Sequence, residues 1–280
     1  MPMEHIHIER DGAVAQLVID RPQRFNSMDV ETARDFRKAG LQLARDKEVR
    51  CVIVRSTNGI FCSGADLKYI RAQGSQEDFG YLRPAGTAAP PGFGEGFKEI
   101  LEYLHSTISE IKRASKPFIA AVDGVAAAGG FGIAMACDLV FASDNATFEW
   151  AYHKTGLTGA ESSTFFLPRL VGLRVAMGLV LLNPRLSAAE AKDLRLINDV
   201  YPRESFLDRV MEIAQRIAAG PTESYAVAKQ LINRAAGVEQ LDYHLDEELQ
   251  HLARSADGRD FAEGIDAFFG KRAPTFEGHG

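Results

Sequence analysis

Along the chain, apolar positions recur at two different spacings, and the change of spacing outlines the fold. Val14–Asp20 (VAQLVID) reads as a strand that the Arg21-Pro22 pair ends. Asp29 is placed to cap a helix over Val30–Ala44, whose apolar contacts come from Phe36, Ala39, Leu41 and Leu43. Cys51–Arg55 (CVIVR), Phe118–Val122 (FIAAV) and Leu139–Ala142 (LVFA) are short continuous apolar runs, the pattern of strands buried on both faces. Strands alternating with helices imply βαβ crossovers and a mostly parallel sheet. Between them, Arg71–Gly96 is rich in Gly, Pro and Ala and lacks periodicity, so it reads as a long functional or disordered loop. An amphipathic helix over Phe97–Lys112 follows; Tyr103 and His105 on it could line a pocket, the better reading being one on each face of the helix. Ser187-Ala188-Ala189-Glu190 is a capping box. Beyond Val200-Tyr201 the pattern is helical only, over Glu204–Ala218, Thr222–Ala235, Leu241–Ala253 and Arg259–Phe269. This divides the chain into a mixed core (1–200) and a helical tail (201–280), the tail expected to pack elsewhere, on another subunit.

Composition narrows the classes. At 280 residues, 46% hydrophobic and 25% charged, the chain is long enough for a large α/β core. Its net charge of −6 gives no electrostatic footprint for nucleic acid or an anionic membrane. The most apolar window, Phe118 to Ala142, is broken by Asp123, Asp138 and a glycine cluster, which excludes a membrane span there. Three cysteines (Cys51, Cys62, Cys137) without CxxC spacing fit a reducing compartment and no structural zinc. The charged opening MPMEHIHIERDG is unlike a signal peptide, so the expected location is the cytoplasm. No P-loop, GxSxG elbow or HExxH pair occurs, and no metal or other cofactor is expected.

Two glycine-containing turns carry the candidate chemistry, each directly after a buried strand. One is Phe61–Leu67 (FCSGADL); the other is Asp123–Gly132 (DGVAAAGGFG), which runs into a helical stretch. Small residues at such turns let backbone approach a ligand and leave N–H groups unpaired at a helix start. Two turns on neighbouring strands can aim two N–H donors at one oxygen, an oxyanion hole; each alone can equally serve as a tight turn that packs helix on strand.

Taken with Lys116–Asp138, Phe166–Gly172 (FLPRLVG) and Leu186–Asp193 (LSAAEAKD), these segments resemble the enoyl-CoA hydratase/isomerase, or crotonase, superfamily, in order over nearly the whole chain from Arg21-Pro22 to Phe268–Lys271. The resemblance implies a ββα spiral core with a helical C-terminal region used in trimerisation, and a homotrimer or dimer of trimers. It implies an acyl-CoA thioester as substrate, with its carbonyl oxygen between the backbone N–H groups of Ala65 and Gly129. Ser63, Gly64, Asp66, Leu67, Lys68 and Gly130 would line the substrate path, and Arg24 with Lys271 or Arg272 would meet the phosphates of coenzyme A; these cations can equally be plain surface charges.

The departures direct the choice of reaction. The two glutamates typical of hydratases in the family fall at Gly132 and Tyr152 here. Isomerase and dehalogenase branches carry an aspartate at the place of Ala160, and Glu161 is its neighbour. Glu161 has two open placements: in the pocket as the proton-transfer group, or at a helix N-terminus favoured by the macrodipole. Tyr152 and His153 are the next acid–base candidates, His153 being the residue most readily poised near neutral pH and equally a structural histidine. Glu149 and Trp150 read as a strand's polar face and packing; Cys62 and Cys137 read as small buried residues. The leading expectation is double-bond isomerisation of an enoyl-CoA in fatty- or aromatic-acid metabolism, with Glu161 shuttling the proton. The alternatives are a hydratase (lyase) with a non-standard base, aryl-CoA substitution weakened by Ala160, and a non-catalytic CoA-thioester-binding protein.

Overall fold

The computed structural model describes residues 3–74, 78 and 92–278. Its main sheet has six strands in the order β1-β2-β3-β4-β6-β9, built from β1 (Ile6–Asp11), β2 (Val14–Ile19), β3 (Cys51–Ser56), β4 (Phe118–Val122), β6 (Leu139–Ser143) and β9 (Asp199–Tyr201). Only the β1–β2 hairpin is antiparallel; from β2 to β9 every pairing is parallel, with Val14 beside Cys51, Val52 beside Phe118 and Ile119 beside Leu139. β1 escaped the sequence reading because its alternating Ile6 and Ile8 are interrupted by charged and histidine neighbours. A second sheet of three short strands, β5 (Val125–Ala127), β7 (Thr147–Glu149) and β8 (Leu186–Ser187), stands beside it.

Alternate residues of the central strands serve two cores, as a pleated strand requires. Val52, Val54, Ala120 and Val122 face a large core closed by α1 (Val30–Arg45) and α3 (Phe93–Arg113). Cys51, Ile53, Ile119 and Ala121 face a smaller core closed by Phe206, Val210, Ala214 and Ala218 of α8 (Arg203–Ala218). Asp29 caps α1 by accepting from the Thr32 N–H at 2.9 Å, as expected.

Most of the loop expected over Arg71–Gly96 lies outside the described residues (75–77 and 79–91). Its end is helical: α3 begins at Phe93, four residues earlier than the sequence pattern places it. The reason is tertiary. Asp257 accepts from the Gly94 N–H at 2.8 Å, and Phe93 packs edge-on against Phe261 at 5.4 Å, contacts that offset two unfavourable glycines in the first turn.

Helices of the tail pack on the core of their own chain. α8 covers the sheet, α10 (Leu241–Ala256) lies along α3, and α11 (Arg259–Gly270) seats Gly264 against the Thr155 backbone. Lys229 of α9 (Thr222–Ala235) ties that helix down through Ile111 O (2.6 Å), Lys116 O (3.1 Å) and Asp138 Oδ2 (2.7 Å). What stays exposed is a set of apolar side chains on α6 (Leu173–Leu182) and α9, including Leu173, Leu181, Leu182, Leu231 and Ile232.

Phe261 is fully buried and meets both Phe93 and Phe97, the latter at 5.5 Å, so it holds α11 to α3. Phe261→Ala is expected to cost about 3–5 kcal/mol in denaturant unfolding, the usual range for a fully buried ring.

Candidate active site

The two glycine-containing turns are stitched together by backbone. Cys62 N–H donates to Val125 O, and Ala127 N–H returns to Cys62 O, both at 3.0 Å, so the turn after β3 pairs with β5. The Met28 N–H donates to Gly64 O, and the Asp66 N–H to Met28 O, both at 2.8 Å, fixing the other side of the same turn. Gly64 sits at φ +96°, a conformation that other residues rarely adopt, and a methyl group there would lie 2.8 Å from Ala128 Cβ and 3.2 Å from Gly129 N. Ala128, at φ 47° and ψ −117°, is a strained non-glycine residue directly before Gly129, the first residue of α4 (Gly129–Ala136). The result brings Ala65 and Gly129 to one cavity of about 370 Å³, and among the described residues neither amide N–H has a hydrogen-bond partner. Two unpaired amide donors, from Ala65 and Gly129, therefore meet at one cavity.

Asp66 anchors the first turn and is not free for chemistry. It caps α2 (Leu67–Arg71), accepting from Lys68 N at 3.0 Å and Tyr69 N at 3.1 Å, and it receives Arg21 Nη1 and Arg24 Nε, both at 2.9 Å. Burial alone would raise its carboxyl, but the hydrogen bonds from Arg24, the Tyr69 amide and Arg21 outweigh it and hold the group below the ordinary carboxylate range. Arg24 thus lines the cavity mouth with its guanidinium spread on Asp66. Ser63, Leu67 and Lys68 also line the cavity; Gly130 does not, because it is packed against Cys62, where a methyl group would fall on the Cys62 carbonyl. Lys271 and Arg272 lie away from the walls. Lys271 is exposed at the end of α11, and Arg272 pairs with Glu263 at 2.5 Å.

Glu161 is in the cavity. Its backbone is left-handed (φ 50°), as is that of Ser162 (φ 62°), and this double turn points the side chain inward ahead of α5 (Ser163–Val171). A methyl group on Gly129 would lie 2.8 Å from Glu161 Oε1, which puts the carboxyl beside Gly129. Oε2 is hydrogen-bonded to the buried Tyr152 hydroxyl, which also lies 3.1 Å from Ala160 O. Burial pushes the Glu161 carboxyl up to about 8; the Tyr152 hydrogen bond works against the shift and the Glu248 charge adds to it. Burial, and then the Glu161 charge, raise Tyr152 well above its ordinary value, so it acts as a hydrogen-bond donor and not as a base.

Other candidates are placed elsewhere. His153 is outside the cavity, stacked edge-on to Trp150 at 4.6 Å, with burial lowering its pKa. The turn geometry (Ala151 at φ 62°) sends Tyr152 inward and its neighbour outward. Glu149 is buried and lines the cavity, paired with Lys154 and with Arg185 Nε at 3.1 Å, so the exposed polar face expected of it is not what it forms. The cysteine thiols are buried and pushed up to about 12. Among the described residues no group of three or more His, Cys, Asp or Glu is gathered as a metal site, and no helix is long and apolar enough to cross a membrane.

Sequence reasoning passed over Glu248 altogether and left His105 as a face of a helix. Both turn out to contact the Glu161 turn: Glu161 N–H donates to His105 Nε2 at 3.1 Å, and Glu248 accepts from Ser162 N (2.8 Å) and Thr164 N (3.0 Å). The signal was present. Leu241, Leu245, Glu248 and Leu252 share one face of α10, and a carboxylate on an apolar stripe is a buried carboxylate.

With this geometry in place, comparison with known proteins defines the class. The chain belongs to the enoyl-CoA hydratase/isomerase family, whose sequence pattern matches residues 9–85 and 95–279. It is 32% identical over 276 residues to 1,2-epoxyphenylacetyl-CoA isomerase of Escherichia coli (strain K12), covering 99% of both chains. It is also 32% identical over 267 residues to 4-chlorobenzoyl coenzyme A dehalogenase-2 of Arthrobacter sp, covering 95% of this chain and 91% of that one. An enoyl-CoA hydratase structure from Mycobacterium avium subsp. paratuberculosis K-10 superposes with a TM-score of 0.84 at 30% identity, over 98% of this chain and 99% of that one. The crotonase-like α/β fold is thereby established.

Gly132, where hydratases of the family carry a glutamate, has no room for a side chain: a methyl group would lie 2.6 Å from Glu161 Cβ. Gly132→Ala is expected to destabilise the protein by about 1–3 kcal/mol in denaturant unfolding and to displace the Glu161 turn. Glu161 also makes stability pH-dependent. Its carboxyl moves from an ordinary 4.5 to about 8 on folding, so its proton is held more tightly in the folded state. That stability is complete below pH 4.5 and is lost as pH rises through 8. Thermal melting of Glu161→Gln against the unmodified protein should show a difference that grows in favour of the variant from pH 5 to 9.

Proposed function

We propose that the protein is an acyl-CoA-processing enzyme that shifts a double bond along its acyl group, with Glu161 as the proton shuttle. The observation that carries this reading is the single buried carboxyl beside Gly129, in a cavity whose two free amides belong to Ala65 and Gly129. The thioester oxygen would sit between those amides, and ionised Glu161 would take a proton from the carbon next to the carbonyl or from the γ-carbon. Negative charge then gathers on the oxygen as an enolate; removing one such donor costs about 3–4 kcal/mol of barrier. The same carboxyl, now protonated, returns its proton to the other carbon, which is net 1,3-transfer with one acid–base group. Tyr152 donates to Glu161 in the ionised form. When Glu161 is protonated the carboxyl donates to Tyr152, whose own hydrogen can turn to Ala160 O, so both states stay hydrogen-bonded.

Hydration is the less supported reaction, because both family glutamate positions lack a carboxylate (Gly132, Tyr152) and the space beside Gly132 is filled by Glu161. Support for assembly as a homotrimer or dimer of trimers, which we also propose, comes from the exposed apolar side chains of α6 and α9.

Purified protein in D₂O, given a 3-enoyl-CoA or a 2-enoyl-CoA and followed by proton NMR, is expected to migrate the double bond with deuterium uptake. The rate should rise with pH through about 8, where Glu161 ionises. Glu161→Gln should lower it by roughly 10²–10⁴-fold. A hydroxylated product in place of migration would restore the hydratase reading; no change in either sample, with retained CoA-ester binding, would leave a different acyl substrate or a binding protein.

A further inference from the structure

The Glu161 turn is an unfavourable piece of backbone that something must hold. Two consecutive non-glycine residues, Glu161 and Ser162, are left-handed (φ 50° and 62°), a region that non-glycine residues adopt only at a cost. Both are buried, at 4% and 0% exposure, so water cannot satisfy their amides. Three amides of this stretch find acceptors from two helices that pack on each other: His105 Nε2 of α3 takes Glu161 N–H, and the two oxygens of Glu248 on α10 take Ser162 N–H and Thr164 N–H. Glu248 is itself fixed by the Thr164 hydroxyl (2.5 Å) and by His244 at 3.6 Å.

We propose that His105 and Glu248, neither of which lines the cavity, are the positioning residues that hold the Glu161–Ser162 turn in its left-handed form and so aim the Glu161 carboxyl at Gly129. This rests on the reading of Glu161 as the proton-transfer group.

The chemistry of the two acceptors suits the task. To accept at Nε2, His105 must be neutral with its proton on Nδ1, and burial pushes its pKa down to about 4 even though Glu248 pulls the other way. Glu248 stays ionised: burial would raise it, but hydrogen bonds from His244 and Thr164 hold it below the ordinary range. The titratable groups facing Glu161 are Tyr152 from the turn after β7, Cys62 from the turn after β3, His105 from α3 and Glu248 from α10. Of these, His105 carries no charge at neutral pH. Its removal therefore takes no charge away from the surroundings of Glu161, which separates positioning from charge effects.

The test is a ¹³C NMR titration of protein carrying side-chain-labelled glutamate, with the Glu161 signal assigned by its loss in Glu161→Gln. The unmodified protein is expected to titrate near 8, and His105→Phe to fall toward 4.5 as the carboxyl leaves its buried place. His105→Gln, which keeps an acceptor, should stay near 8. In the D₂O assay His105→Phe should lose about 10²-fold in kcat with little change in KM, the effect of a misplaced group. Should His105→Phe not fold, Glu248→Gln takes its place: Ser162→Gly, a residue at home in the left-handed region, should restore its kcat. A capping role for α5 alone would lower melting temperature and leave the Glu161 midpoint and the kcat unmoved, and a folded His105→Phe still titrating near 8 would overturn the proposal. The same holds for Glu248→Gln if Ser162→Gly gives no rescue. The titration needs no turnover: a moved midpoint without isomerisation in the unmodified protein would refute the reaction and keep the positioning, and the converse result would do the reverse.

Discussion

Everything at the cavity depends on the close pairing of two backbone turns through Cys62. A single residue after β3 both donates to and accepts from β5, and this short parallel bridge fixes how far apart the Ala65 and Gly129 amides lie. The pairing demands small residues around it. Gly64 has the Ala128 methyl and Gly129 N against it, and Gly130 has the Cys62 carbonyl. The strain at Ala128 is sustained because both flanks are pinned: Ala127 N–H is held by Cys62 O, and Ala128 N–H by Glu149 O at 3.1 Å. Amides that are rigid before a ligand arrives need no reorganisation when charge develops on the oxygen between them, which is where such donors gain their effect.

A second constraint, buried charge, shapes the rest of the site. Five acidic side chains at or near the cavity are buried or nearly so, and they differ in how they are satisfied. Asp66 is neutralised by two arginines, Glu149 by Lys154 and Arg185, and Glu248 by amides, a hydroxyl and a histidine. Asp29 pairs with Arg21 while capping α1. Glu161 has a single hydroxyl donor and no Lys or Arg among its described partners, and burial pushes its carboxyl upward. A carboxyl whose pKa lies near the working pH can both lose and regain a proton.

The strands and capped helices were legible in the sequence because they follow from local pattern: continuous apolar runs for β3, β4 and β6, Asp29 for α1, and the capping box at Ser187, which forms with both reciprocal bonds. That the two glycine-containing turns meet was legible too, because each directly follows a buried strand and the small residues permit close backbone approach. The direction of Glu161 was not. It depends on a left-handed pair that non-glycine residues adopt only under tertiary restraint, and the restraint comes from α3 and α10, 56 and 86 residues away in sequence. The early start of α3 and the packing of the tail on its own core were hidden for the same reason: Asp257, Phe261 and the α8 face act across long separations.

Gly132 and Glu161 are best understood as one feature. The space beside the Glu161 backbone is the space that a side chain at 132 would need, with Cβ to Cβ at 2.6 Å. A carboxylate can therefore enter this cavity from α4 or from the turn before α5, and not from both while that turn keeps its present course. The absence of a glutamate at 132 is thus more than a missing group, because it is the steric condition for the carboxyl that is present. Tyr152 completes the exchange: at the other hydratase position it supplies a hydroxyl that bonds to Glu161, where a second carboxylate would have raised that pKa further through like charge. In the proposed reaction the three residues form a self-consistent set with one proton-transfer group, and a change at any one of them alters what the other two can do.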